Sequence, residues 1–95
     1  MTRHDMLMVK AMEECNEVAH RLSKALRFGL DEVQPGQPLD NHQRIVDEYS
    51  DLVAAMELLG IGAGFPTISR DLIETKKARI EKYLQVSVTR GRLDP

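Results

Sequence analysis

Apolar residues along the first third of the chain recur at three- and four-residue intervals, at Leu7, Met8, Ala11, Met12, Cys15, Val18, Ala19, Leu22, Ala25 and Leu26. That spacing, sustained over about five turns, predicts one long amphipathic helix. A second run, Ile45, Tyr49, Leu52, Val53, Met56 and Leu59, follows Asp40, whose side chain can cap a helix together with Gln43 three places on. Gly60 stops it. Ser69 can cap a third helix carrying Leu72, Ile73, Ile80, Tyr83 and Leu84, with Lys76, Lys77, Arg79 and Lys82 as a basic set along it. Two clusters of Pro and Gly, Gln34 to Pro38 and Gly60 to Pro66, divide the three segments. Beyond Gln85 the pattern weakens, and residues 86–95 read as a flexible coil tail. The expected class is all-α: an antiparallel helical bundle of three to four helices per protomer.

At 95 residues the chain is large enough for a single domain, 1–95, and small enough that a lone protomer leaves much of its unfolded surface exposed. Self-association, as a homodimer or homotetramer that completes the bundle, is therefore expected. The 13 basic and 15 acidic side chains leave a net charge of -2, so no basic field exists to hold a nucleic-acid polymer. No apolar run approaches the ~18 residues of a membrane span, and His4, Asp5 and Lys10 interrupt any signal-peptide layout. With its single cysteine, Cys15, the chain reads as a cytoplasmic protein. Cys15 falls at the centre of the first apolar arc, where packing is expected, and most of the methionines among Met6, Met8, Met12 and Met56 read as core.

The acidic residues carry the chemistry. At about 100° per residue, with Leu7 at zero, the apolar arc of the first helix runs to Met12 at about 140°, Glu14 falls at about 340° and Glu17 at about 280°. Both acids stand on one edge of the apolar stripe, one turn apart. On the second helix, counted from Ile45, Glu48 lies at about 300°, between core positions Ala55 and Leu59, and Asp51 lies at about 240°. If the two helices pack antiparallel, these edges meet and four carboxylates converge. Like charges taken partly out of water either gain a proton or require a cation. Oxygen-only ligands select magnesium, manganese or calcium, and such ions leave positions for phosphate oxygens. The plainer alternative is a set of solvated helix pairs, Lys10 with Glu14 and Glu17 with Arg21.

Glu13-Glu14-Cys15-Asn16-Glu17 followed by Glu48-Tyr49-Ser50-Asp51 resembles the EExxE and ExxD signature of the MazG-like all-alpha nucleoside triphosphate pyrophosphohydrolases. Ser23-Lys24-Ala25-Leu26-Arg27-Phe28-Gly29 and Asn41 are similar to the small, phage-type members, and the resemblance covers about Met6 to Tyr83. It implies cleavage of a nucleoside triphosphate between the alpha and beta phosphates, giving a monophosphate and pyrophosphate, with Mg2+ required and Mn2+ as a substitute. It implies Glu14, Glu17, Glu48 and Asp51 as metal ligands; Glu17 and Glu48 are the expected catalytic residues, a carboxylate near the bound water, such as Glu17, accepting its proton. Glu13 carries over less directly. Lys24, Arg27, Lys77 and Lys82 are the expected phosphate contacts, and Arg79 is a further candidate.

Two other readings remain. Glu17-Val18-Ala19-His20 forms ExxH, which in a dimer could build a di-iron carboxylate bundle, although His20, at about 220°, turns away from the stripe. A non-catalytic helical module would use its apolar faces, with their methionines, to bind partner helices. Gly60, Gly62 and Gly64 follow no strand, so they read as a helix stop and hinge rather than a phosphate loop. His4 and His42 have no partners that suggest a role.

Overall fold

The computed structural model describes residues 1–61 and 68–95. Among these residues there are three helices: α1 (Arg3–Phe28), α2 (Asn41–Leu58) and α3 (Arg70–Thr89). No strand occurs among the described residues; one isolated bridge joins Val33 and Asp40. Gly62 and Gly64, part of the expected hinge, lie outside the described residues.

Each helix starts where its capping chemistry dictates. Asp40 Oδ1 accepts from the Gln43 amide at 2.8 Å, and Gln43 Oε1 accepts from the Asp40 amide at 3.0 Å, so α2 opens with the expected capping box. Ser69 accepts from the Leu72 amide at 3.0 Å at the head of α3. A second capping box, Thr2 with Asp5, opens α1 and adds a turn to the helix foreseen from the apolar spacing. At the other end of α3 the expectation fails. Val86 to Thr89 are helical rather than coil, with the Arg90 amide closing the last turn on the Val86 carbonyl. Alternating Val-Ser-Val-Thr looks strand-like over four residues, but a helix already propagating adds each further residue at little cost.

The chain divides into two compact units, Met1–Phe65 and Pro66–Pro95. In the first, α1 and α2 pack antiparallel: the end of α1 meets the start of α2, where Asn41 Nδ2 donates to the Gly29 carbonyl at 2.8 Å. Glu14, nearer the start of α1, meets Glu48 and Asp51 further along α2. Asn41, 2% exposed, also donates to Glu32 Oε1 at 3.1 Å, and the Asn41 and His42 amides donate to the Glu32 and Leu30 carbonyls. This clamp folds the connection back on itself. Gly29, at φ +97°, sits where a side chain would strike Asp31, so its freedom is needed for α1 to end there.

The packed stripe differs from the expected one. On α1 a row of residues withdrawn from solvent runs through Leu7, Ala11, Glu14, Val18, Arg21 and Ala25, and on α2 another runs through Asn41, Ile45, Glu48, Leu52 and Ala55 to Leu59 at its C-cap, with Asp5, Val9, Lys24, Arg44 and Met56 partly covered besides. Both follow 4-3-4-3-4 spacing, the seam of a coiled-coil pair. Cys15, expected at the buried centre, is exposed, as are Met6, Met8 and Met12, while Met56 is half-buried. The physical reason is size: Ala11 and Ala55, the two buried apolar residues among those described, let the helices approach along the edge of the arc rather than its middle. The second unit is α3 with its short tail, and none of its described residues is buried. No helix among the described residues is long and apolar enough to cross a membrane.

Candidate metal centre

Because the packed stripe is the edge of the apolar arc, the acids on that edge move into the seam. Glu14 has a side chain only 7% exposed, Glu48 is half-buried opposite it, and Asp51, one turn from Glu48, is exposed at the rim. One oxygen from each of these three carboxylates lies within 4.8 Å of the others. They belong to two helices and are separated by more than thirty residues of chain, so only the antiparallel docking brings them together.

The electrostatics follow from that placement. Burial, the largest effect, pushes the Glu48 carboxyl above the ordinary glutamate range, and the charges of Glu17, Asp51, Glu14 and Asp47 push it the same way. Glu17 is exposed and stands outside the three-carboxylate set, yet it acts on Glu48 more strongly than the other charges do. Its charge therefore acts on Glu48 from outside the three-carboxylate set instead of completing a four-oxygen cage. Glu13 is exposed and lies 3.9 Å from Lys10, in keeping with its lesser standing.

Lys10 is the cation that reaches the cluster. Its Nζ lies 2.9 Å from Glu14 Oε1, and this hydrogen bond, with the charges of Glu14, Glu13 and Asp51, holds the ammonium above the ordinary lysine range. The Lys10–Glu14 helix pair is thus formed. The Glu17–Arg21 pair is not: Arg21 is 9% exposed in the seam, and its Nη1 is buried without a hydrogen-bond partner. An open groove lined by Leu7, Lys10, Glu14, Asp51, Ala54, Ala55 and Leu58 leads along the cluster.

The donor set fits a hard divalent ion. Adjacent and opposite oxygens of a magnesium octahedron stand about 2.9 and 4.2 Å apart, and those around calcium somewhat further. Three carboxylate oxygens within 4.8 Å need only a small closure to reach that geometry. The raised carboxyl of Glu48 reflects its burial first and the surrounding acidic charge second.

The two expected phosphate contacts on α1 are not gathered here. Lys24 and Arg27 lie ten and thirteen residues beyond Glu14, about 15 and 20 Å along the α1 axis, where both approach the Phe28 ring, at 5.8 and 4.9 Å. Lys77 and Lys82 are on α3 in the second unit, and Lys77 lies 3.4 Å from Glu74. His20 is exposed, so it supplies no inward imidazole for a di-iron bundle. Two residues escaped the sequence reading: Lys10, treated only as a helix pair, and Arg21, whose burial no periodicity of apolar residues announces. No protein-family model, curated protein or solved structure matches this chain.

Proposed function

We propose that this chain is a magnesium-dependent nucleoside triphosphate pyrophosphohydrolase, cleaving between the alpha and beta phosphates to release a nucleoside monophosphate and pyrophosphate. The observation that supports the reading is the convergence of Glu14, Glu48 and Asp51 from two helices onto one point beside an open groove. Those residues also stand in the EExxE and ExxD pattern of the MazG-like family. Glu14, Glu48 and Asp51 would hold the cation, which when bound would neutralise the polyphosphate and supply a water of lowered pKa. Mn2+ has the same hard-oxygen preference and takes its place. Glu17, exposed beside Glu48, accepts a proton from the attacking water, and Lys10 holds Glu14 in position from the same turn. Contacts from Lys24, Arg27, Lys77 and Lys82 to the substrate belong to the same proposal and are read by removing each charge in turn.

The test is release of pyrophosphate, as opposed to orthophosphate, from a panel of ordinary and modified deoxynucleoside triphosphates with Mg2+ or Mn2+. Release that disappears in Glu48→Gln while helix content survives supports the enzyme. Absence of release from every nucleotide favours the second reading, a non-catalytic helical module, for which the exposed apolar residues Met8, Met12 and Leu22 are the relevant observation.

A further inference from the structure

The groove beside the carboxylates has one basic side chain in its wall among the described residues. Lys10 lines it together with Glu14 and Asp51, and the rest of the lining is apolar, Leu7, Ala54 and Leu58 among it. The other bases of the first unit stand elsewhere. Arg44 Nη1 donates to Gln34 Oε1 at 2.7 Å, Lys24 and Arg27 approach the Phe28 ring, and Arg21 is enclosed in the seam. Arg3 lies two turns before Lys10, about 10 Å along the α1 axis. A polyphosphate drawn to the carboxylates by a cation therefore meets a single side chain able to donate to its oxygens from the groove wall.

That side chain is engaged, but loosely. Lys10 Nζ lies 2.9 Å from Glu14 Oε1 and 3.9 Å from Glu13 Oε2. An ammonium carries three donors, and only the Glu14 contact is at hydrogen-bond distance, so the others remain for further acceptors. The Lys10 side chain is 57% exposed, at the end of a flexible four-carbon stem, whereas Glu14 is enclosed between the helices. Of the two partners, Lys10 is the one free to move. It also has cause to. Three carboxylates share one ammonium, and a divalent ion seated on the same oxygens brings twice the charge of Lys10 to Glu14 while repelling the ammonium beside it.

We propose that Lys10 is a phosphate-binding residue: its ammonium holds Glu14 while the carboxylates carry no cation, and turns into the groove to donate to a phosphate oxygen of the substrate when they carry one. This rests on the reading of Glu14, Glu48 and Asp51 as the seat of a cation. It supplies the positive charge beside the cluster that Lys24 and Arg27 are too far along α1 to provide. It also couples the two ligands. A cation frees the ammonium for the polyphosphate, and a polyphosphate that engages the ammonium leaves Glu14 to the cation, so each favours the other through the same side chain.

The experiment uses the full chain with Mn2+ and inorganic triphosphate, which has the phosphate chain without base or sugar. Mn2+ binding is read from loss of the free-ion electron paramagnetic resonance signal, and triphosphate binding by calorimetric titration of the Mn2+–triphosphate complex into Mn2+-loaded protein. Wild type is compared with Lys10→Met, Lys10→Gln and Arg3→Met. Methionine and glutamine are good helix formers at these exposed positions, and circular dichroism verifies the helices. Both Lys10 variants should bind Mn2+ alone about fivefold more tightly, because Glu14 no longer gives up an ion pair. Both should bind triphosphate about 10- to 100-fold more weakly, having lost a charge-assisted hydrogen bond. Arg3→Met, which removes the same charge away from the groove, should change neither by more than about twofold. Unaltered Mn2+ affinity in the Lys10 variants overturns the proposal, as does unaltered triphosphate affinity, or an Arg3→Met that changes in parallel with them. A wild type that binds Mn2+ but not triphosphate overturns it too. Mn2+ binding and pyrophosphate release that persist unchanged without Lys10 sink this proposal alone; a wild type that binds no Mn2+ sinks it together with the reading of the carboxylates.

Discussion

Replacing Glu48 with Gln separates the cost of the carboxylate cluster from its use. The substitution keeps shape and helix propensity but removes one negative charge from three that stand within 4.8 Å of one another. At that separation a like-charge pair costs about 1 kcal/mol in a water-like medium and about 3.5 kcal/mol at an effective dielectric of 20. Glu48 faces two such partners, Glu14 and Asp51; Lys10 offsets the first and solvent screens the second, because Asp51 is exposed. The lower end applies, and Glu48→Gln should stabilise the metal-free protein by about 1–2 kcal/mol, which for a domain of this size raises Tm by about 4–16 °C. Added Mn2+ or Mg2+ should reverse the ranking. Wild type gains about 2.7 kcal/mol at a cation concentration a hundredfold above its Kd, whereas the variant, having lost one ligand, gains far less. Thermal unfolding followed by circular dichroism at fixed protein concentration, with chelator and then with cation, reads both halves. If the variant melts at or below wild type in chelator and neither responds to cation, the carboxylates do not repel across the seam and the reasoning is wrong.

Other consequences are separable. The metal-free protein should lose stability as pH rises from about 4.5, where unfolded Glu48 titrates, through its raised folded value: over that window the folded state binds more protons. Glu48→Gln should flatten this slope in denaturant titrations at a series of pH values. Asn41→Ala removes both Nδ2 hydrogen bonds and leaves the Gly29 carbonyl short of a partner, so a loss of about 2–3 kcal/mol is expected in urea unfolding. Arg21→Met replaces a buried guanidinium with an orphaned nitrogen by an apolar side chain of similar length. It should be neutral or stabilising, and a loss of more than about 2 kcal/mol would show that Arg21 has a partner in solution.

The local elements were legible because their causes are local. Asp40 with Gln43, and Ser69 before an apolar run, name helix starts through hydrogen bonds that span three residues, and the apolar spacing names the three helices, short of the first turn of α1 and of Val86 to Thr89 in α3. The pairing of Glu14 with the Glu48–Asp51 turn was legible too, since a helix face is a fixed function of residue number and a short connection favours antiparallel neighbours. The place of Glu17 outside the three-oxygen set was not, because a side chain's reach across a seam depends on how close the backbones come.

What the residues alone determined, then, was the all-helical character, the helix starts and which side chains share each face. What the tertiary structure decided was which of two adjacent heptad stripes on α1 meets α2. Both have the spacing of a seam. The more apolar one, through Met8, Cys15 and Leu22, remains outside, while the one carrying Glu14 and Arg21 is packed. Small residues at Ala11 and Ala55 admit close approach there, and that choice depends on two helices fitting together, a property no single segment possesses.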